Sequence, residues 1–132
     1  MQPDPSPYTP ANFTVWMEIP VSDLEKAMQF YSAVTRGALD LQTTGPNPIA
    51  VFRTTDPDEG IAGHLYEGRP ASEGGGPTVH IAADGTLEEI IARIWDAGGR
   101  VVSPPIEIPA GRFAYAVDPD GNSVGFFEAK AA

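Results

Sequence analysis

FTVWMEIPVSDLEKAMQFYSAVTRG, residues 13–37, decides the fold, because it holds a strand, a helix start and a helix stop in one line, and the chain repeats the arrangement. Residues 13–21 are rich in β-branched and aromatic side chains, and Met17, Ile19 and Val21 alternate with Trp16, Glu18 and Pro20 at the period of a strand. Ser22-Asp23-Leu24-Glu25 then has the form of a capping box, in which the serine side chain accepts from the amide three residues on and the glutamate reaches back. Leu24, Ala27, Met28, Tyr31 and Val34 recur at helical spacing as one apolar face, and Gly37 offers a left-handed residue at which the helix ends.

The second copy is TVHIAADGTLEEIIARIWDAGG, residues 78–99. A strand at 78–84 leads to a capping box at Thr86-Leu87-Glu88-Glu89, 64 residues after the first box (86 − 22). Leu87, Ile90, Ile91, Ile94 and Trp95 mark the helix face, closed by Gly98-Gly99, and helical spacing assigns both Tyr31 and Trp95 to the packed layer. Each helix is followed by three strand-like runs: 38–43, 49–53 and 61–66 in the first half, 100–103, 112–117 and 123–128 in the second. Proline and glycine clusters break them, among them Pro104-Pro105 and the hairpin turn Asp118-Pro119-Asp120-Gly121-Asn122. The repeat predicts an α+β domain over 13–128, with module one at 13–66, a glycine-rich linker at 67–77 and module two at 78–128. Two helices near 23–35 and 86–98 are expected on one side of a sheet of about eight strands, which leaves the other face open to a ligand.

Composition narrows the function. Charged residues make up 20% of the chain and apolar ones 42%, a globular profile, and no apolar run approaches the roughly 20 residues that span a bilayer. A net charge of −10 repels phosphate backbones and anionic lipid surfaces, so neither nucleic acid nor membrane is an expected partner. The absence of cysteine removes disulfides, thiolate nucleophiles and cysteine-bound zinc, and fits a cytoplasmic setting. Residues 1–12 lack a basic start and an apolar centre and are expected to be a disordered proline-rich tail rather than a signal peptide; 129–132 form a second tail.

His64 and His80, the only histidines, lie in strands on which they could ligate a metal, move a proton or line a pocket. Trp16, Tyr115 and Phe127 form a candidate aromatic lining, with Glu18 on the Trp16 side of its strand. Arg53 and Arg112, at strand ends, are placed to clamp a carboxylate or to stand as solvated edge residues.

The string WMEIPVSDLEKAMQFY together with DPDGNSVGFFE resembles the vicinal oxygen chelate superfamily, which includes glyoxalase, extradiol dioxygenases and bleomycin-resistance proteins. The resemblance, from Phe13 to Glu128, implies two βαβββ modules forming a cupped mixed sheet with both helices outside, a homodimer, and metal ligands pointing into the cup. Carried over residue by residue, those ligand positions fall on Trp16, near His64, on His80 and on Gly125, and two of these four cannot bind a metal through their side chains. The resulting expectation is small-molecule binding by Trp16, Glu18, His64, His80, Tyr115 and Phe127 without a metal or other cofactor. The alternative is a metal-dependent lyase, isomerase or dioxygenase with nickel, zinc, iron or manganese on Glu18, His64 and His80.

Overall fold

In a computed structural model the described residues are 6–56, 58–72 and 74–129, so the outer parts of both expected tails, 1–5 and 130–132, lie outside them. Residues 6–12 carry no helix or strand. Module one comprises β1 (Met17–Val21), α1 (Leu24–Thr35), β2 (Leu39–Gln42), β3 (Ile49–Phe52) and β4 (Gly63–Glu67). Module two comprises β5 (Val79–Ala82), α2 (Leu87–Asp96), β6 (Arg100–Val101), β7 (Ile106–Ile108), β8 (Gly111–Val117) and β9 (Ser123–Ala129). The first sheet runs β1-β4-β3-β2 and the second β5-β9-β8-β6, with β7 also on β8. In each, the strand before the helix lies parallel to the last strand of its module and the remaining pairs are antiparallel, which makes both sheets mixed.

Among the described residues nine strands in two sheets stand where the sequence predicts one sheet of about eight, and the strands differ from expectation chiefly in two places. β1 begins at Met17 rather than Phe13, because its partner β4 begins at Gly63, opposite Met17, and residues 13–16 have no strand beside them. β7 forms in a stretch read as connection: Ile106 and Ile108 extend the far end of β8 opposite Phe113 and Gly111.

The helix ends also differ. α2 starts with the expected box, Thr86 accepting from the Glu89 amide and Glu89 from the Thr86 amide. At α1 the cap is Asp23, whose Oδ1 accepts from the Lys26 amide at 3.1 Å, while Ser22 turns away to bond Asp120. Aspartate caps as well as serine does, so the substitution costs the helix little. Arg36, not Gly37, takes the left-handed conformation, at φ 63°, with its amide on the Ser32 carbonyl and the Gly37 amide on Thr35 Oγ1.

Apolar residues from both modules form one core cluster: Ile19, Val21 and Leu65 from the first sheet, Ile81, Val124 and Phe126 from the second, with the inner faces of α1 and α2. Phe30 and Tyr31 of α1 approach Phe126 of β9 at 6.3 and 6.2 Å between ring centres, so a helix of module one packs on the sheet of module two. Tyr31 is fully buried, but Trp95 is 53% exposed and is not part of the packed layer. α2 buries the line Leu87, Ile90 and Ile94, and Trp95 falls one position beyond that line, about 100° further round the helix.

The modules are also tied by polar contacts. Asp118, 4% exposed at the start of the β8–β9 turn, accepts from Tyr31 Oη at 2.7 Å, from Asn122 Nδ2, and from the amides of Asp120 and Asn122. Asn122 Nδ2 also donates to the Pro20 carbonyl of β1 at 2.7 Å, and Asn122 Oδ1 accepts from the Ala71 amide.

Removing this carboxylate should be costly. Asp118→Ala strands the Tyr31 hydroxyl and the turn amides together, and on the order of 3 kcal/mol should be lost in urea denaturation. Burial, and then the neighbouring Asp118 charge, raise the Tyr31 pKa well above its ordinary 10.0. The unfolded chain therefore releases this proton first. The contribution of Tyr31 is complete below pH about 10 and declines as pH rises toward the folded value. Tyr31→Phe should lower stability by about 1–2 kcal/mol at neutral pH and flatten the fall above pH 10, measured by urea denaturation across that range.

Candidate functional site

Strand alternation divides each sheet into a face on the core and a face away from it. In module one Ile19, Val21 and Leu65 face the core, so Glu18, His64 and Tyr66 face outward, with Glu18 directly opposite His64 in the β1–β4 register. Trp16, just ahead of β1, donates its indole N–H to His64 Nδ1 at 3.0 Å. That bond makes Nδ1 the acceptor, and in the neutral ring the proton then sits on Nε2, 3.5 Å from Glu18 Oε1. His64 is 15% exposed and Glu18 62% in their side chains, so the imidazole is packed while the carboxylate reaches solvent. The Tyr66 ring stands edge-on to His64 at 6.1 Å.

In module two the outward face is aromatic. Phe113, directly opposite Phe127, and Tyr115, opposite Gly125, share it with His80, which is opposite Gly125 on the other side. The His80 ring meets Phe113 and Tyr115 edge-on at 4.9 and 5.7 Å. It lies over Gly125: a Cβ added there would stand 2.4 Å from His80 Nδ1, well inside contact distance. The glycine at this point is a seat for the imidazole.

The six candidate residues thus form two groups. Trp16, Glu18 and His64 meet on the first sheet; His80, Tyr115 and Phe127 share a face of the second. Tyr66 and Phe113 belong to these groups and were not among the candidates, although each stands two residues from one, at strand period. Among the described residues no three His, Asp or Glu side chains are close enough to share a metal ion, so Glu18, His64 and His80 do not converge within one chain. Arg53 and Arg112 do clamp carboxylates, but the protein's own. Arg53 pairs with Asp40, holding that carboxyl below its ordinary range, and Arg112 grips Glu88 through two N–H groups and Glu128 through others.

Residues 14–126 match the Glyoxalase/Bleomycin resistance protein/Dioxygenase superfamily. No curated protein matches the chain significantly. Among solved structures, a glyoxalase/bleomycin resistance protein from Albidiferax ferrireducens is 21% identical, with 90% of this chain and all of that one aligned and a TM-score of 0.68. Glyoxalase I from Zea mays is 21% identical over 86% of this chain and 45% of its own, with a TM-score of 0.62. A glyoxalase-related enzyme from Fulvimarina pelagi is 18% identical over 86% of both chains, with a TM-score of 0.59. At these identities the structures speak to the fold. No helix among the described residues is long and apolar enough to cross a membrane. The family match runs from just ahead of β1 into β9 and takes in both modules, so this chain belongs to the Glyoxalase/Bleomycin resistance protein/Dioxygenase superfamily.

Proposed function

We propose that this protein binds a small organic molecule against its outward aromatic sheet faces, without a catalytic metal, and does so as a cytoplasmic homodimer. The observation that carries this reading is the seating of His80 on Gly125, where the family resemblance calls for a metal-binding carboxylate. A side chain at 125 and the present His80 ring cannot occupy the same space. The other group supports it from the first sheet, since the Trp16 bond occupies one nitrogen of His64 and leaves the other, in the neutral ring, as a proton donor. His80 and Tyr115 offer ring faces and edges to a flat ligand on the second sheet, with the buried Phe113 packed edge-on against both; on the first sheet His64 Nε2–H and Glu18 offer one donor and one acceptor. The dimer is supported by the exposed apolar side chains of Phe13 and Val15, just ahead of β1.

A thermal-shift screen of uncharged aromatic compounds, after chelation and again with nickel, zinc, iron or manganese added, tests the reading. Ligand-induced stabilisation independent of metal and lost in His80→Ala is expected. Stoichiometric metal binding lost in that variant, with metal-restored turnover, would replace this reading by a metal-dependent enzyme.

Gly125→Ala tests the seat itself. The new methyl displaces the His80 ring, and a loss of about 1–3 kcal/mol is expected, as for overpacking. His80→Ala should relieve most of it in the double variant. A double-mutant cycle in urea reads this coupling, and additive losses would show that the ring does not rest on the glycine.

A further inference from the structure

We infer that the cleft between β1 and the β5–β9 pair takes the carboxylate end of a ligand whose body is apolar, and that Arg69 reads its charge. The inference goes beyond the small-molecule reading above: the cleft is a second site, apart from the aromatic face around His80. The cleft holds about 340 Å3, room for a small molecule, and Pro20, Pro70, Pro77 and Val79 make much of its wall apolar. Two of its other polar side chains are already engaged. Asn122 uses its amide nitrogen on Pro20 and Asp118 and its oxygen on Ala71, and Ser123 Oγ bonds Thr78, while the Glu18 carboxylate, beside His64, reaches solvent.

Arg69 differs. It lines the cleft, and no hydrogen bond or ion pair holds it among the described residues. The contrast with the other arginines is sharp. Arg36 faces Asp84, Arg53 binds Asp40, Arg93 donates to the Val34 and Asp84 carbonyls, Arg112 holds two glutamates, and Arg100 is engaged as well. In a chain with 18 acidic and 8 basic residues, a guanidinium at a cavity wall with no carboxylate on it is the local donor left for a ligand. The chain's net charge of −10 does not forbid an anion there, since charges farther than about 8 Å are screened at physiological salt while a direct guanidinium–carboxylate contact is not. A planar carboxylate matches the two-pronged donor geometry, and the proline walls suit a ring behind it.

Benzoate is the probe, compared with its neutral isostere benzamide and with benzylamine, each titrated into the full chain and followed by amide chemical shifts. Benzoate should move Ala71, Val79 and Val124 and bind about ten-fold more tightly than benzamide, with benzylamine weaker than either. Arg69→Ala, which breaks no contact seen here, should reduce benzoate to the level of benzamide, and His80→Ala should leave it unchanged. Equal binding of benzoate and benzamide, or full benzoate affinity in Arg69→Ala, overturns the inference. So do shifts centred on Phe113 and Tyr115 and lost in His80→Ala; that result would leave the aromatic-face reading standing and remove only this cleft.

Discussion

Asp118 is a buried carboxylate with all its acceptor positions turned inward, and the relation between the two modules depends on it. Burying a charge without partners is prohibitive; here one hydroxyl, one side-chain amide and two backbone amides surround it. Each donor belongs to a part that must keep its place. Tyr31 fixes α1 of module one against the turn of module two, and Asn122, oriented by the same carboxylate, holds the β1 carbonyl at Pro20. Phe30, Tyr31 and Phe126 then pack where those contacts allow. Two sheets that share no ladder among the described residues are positioned by this network and by the core beneath it.

Within each module, a glutamate at the end of the last strand returns to the start of the helix. Glu67 of β4 accepts from the Leu24 amide at 3.2 Å, and Glu128 of β9 accepts from the Leu87 amide at 2.9 Å. Both place a negative charge at a helix N-terminus, where free amides and the helix dipole favour it. The two halves repeat a closure as well as an order of elements. Arg112 adds to the second closure by binding Glu128 and Glu88 together, and these carboxylates and hydrogen bonds raise its pKa further above an already high value.

Elements governed by local spacing were legible in the sequence. Both helices, the Thr86 box and the Asp118–Asn122 turn follow from residues within a few positions of one another, and the structure has them. What depended on distant partners was not. Residues 13–16 have strand composition but no strand opposite, Ser22 answers to Asp120 across the fold, and Trp95 falls just outside a buried stripe whose edge is set by tertiary packing. The site shows the same division. Period-two alternation put Glu18 on the Trp16 side of its strand, where both meet His64, and the same rule extended by two residues from His64 and Tyr115 reaches Tyr66 and Phe113. The contact of His80 with Gly125 joins strands 45 residues apart (125 − 80), and no spacing rule connects them.

The acidity of the chain has a structural reason beyond solubility. Asp23, Asp56, Glu67, Glu89, Asp118, Asp120 and Glu128 each accept from one or more backbone amides at a helix start or turn. Asp40 and Glu88 pair with arginines. Carboxylates are thus concentrated at the ends of elements, where unsatisfied amides need acceptors. On the second sheet the outward face around His80, Phe113, Tyr115 and Phe127 presents rings, with the charge of Arg112 and Glu128 confined to the strand end beyond them. Selection there must come from ring contact and shape, because little fixed charge remains to oppose or attract a ligand. Discrimination by charge has to occur at the margin of that surface, near Glu18 and where the two modules meet.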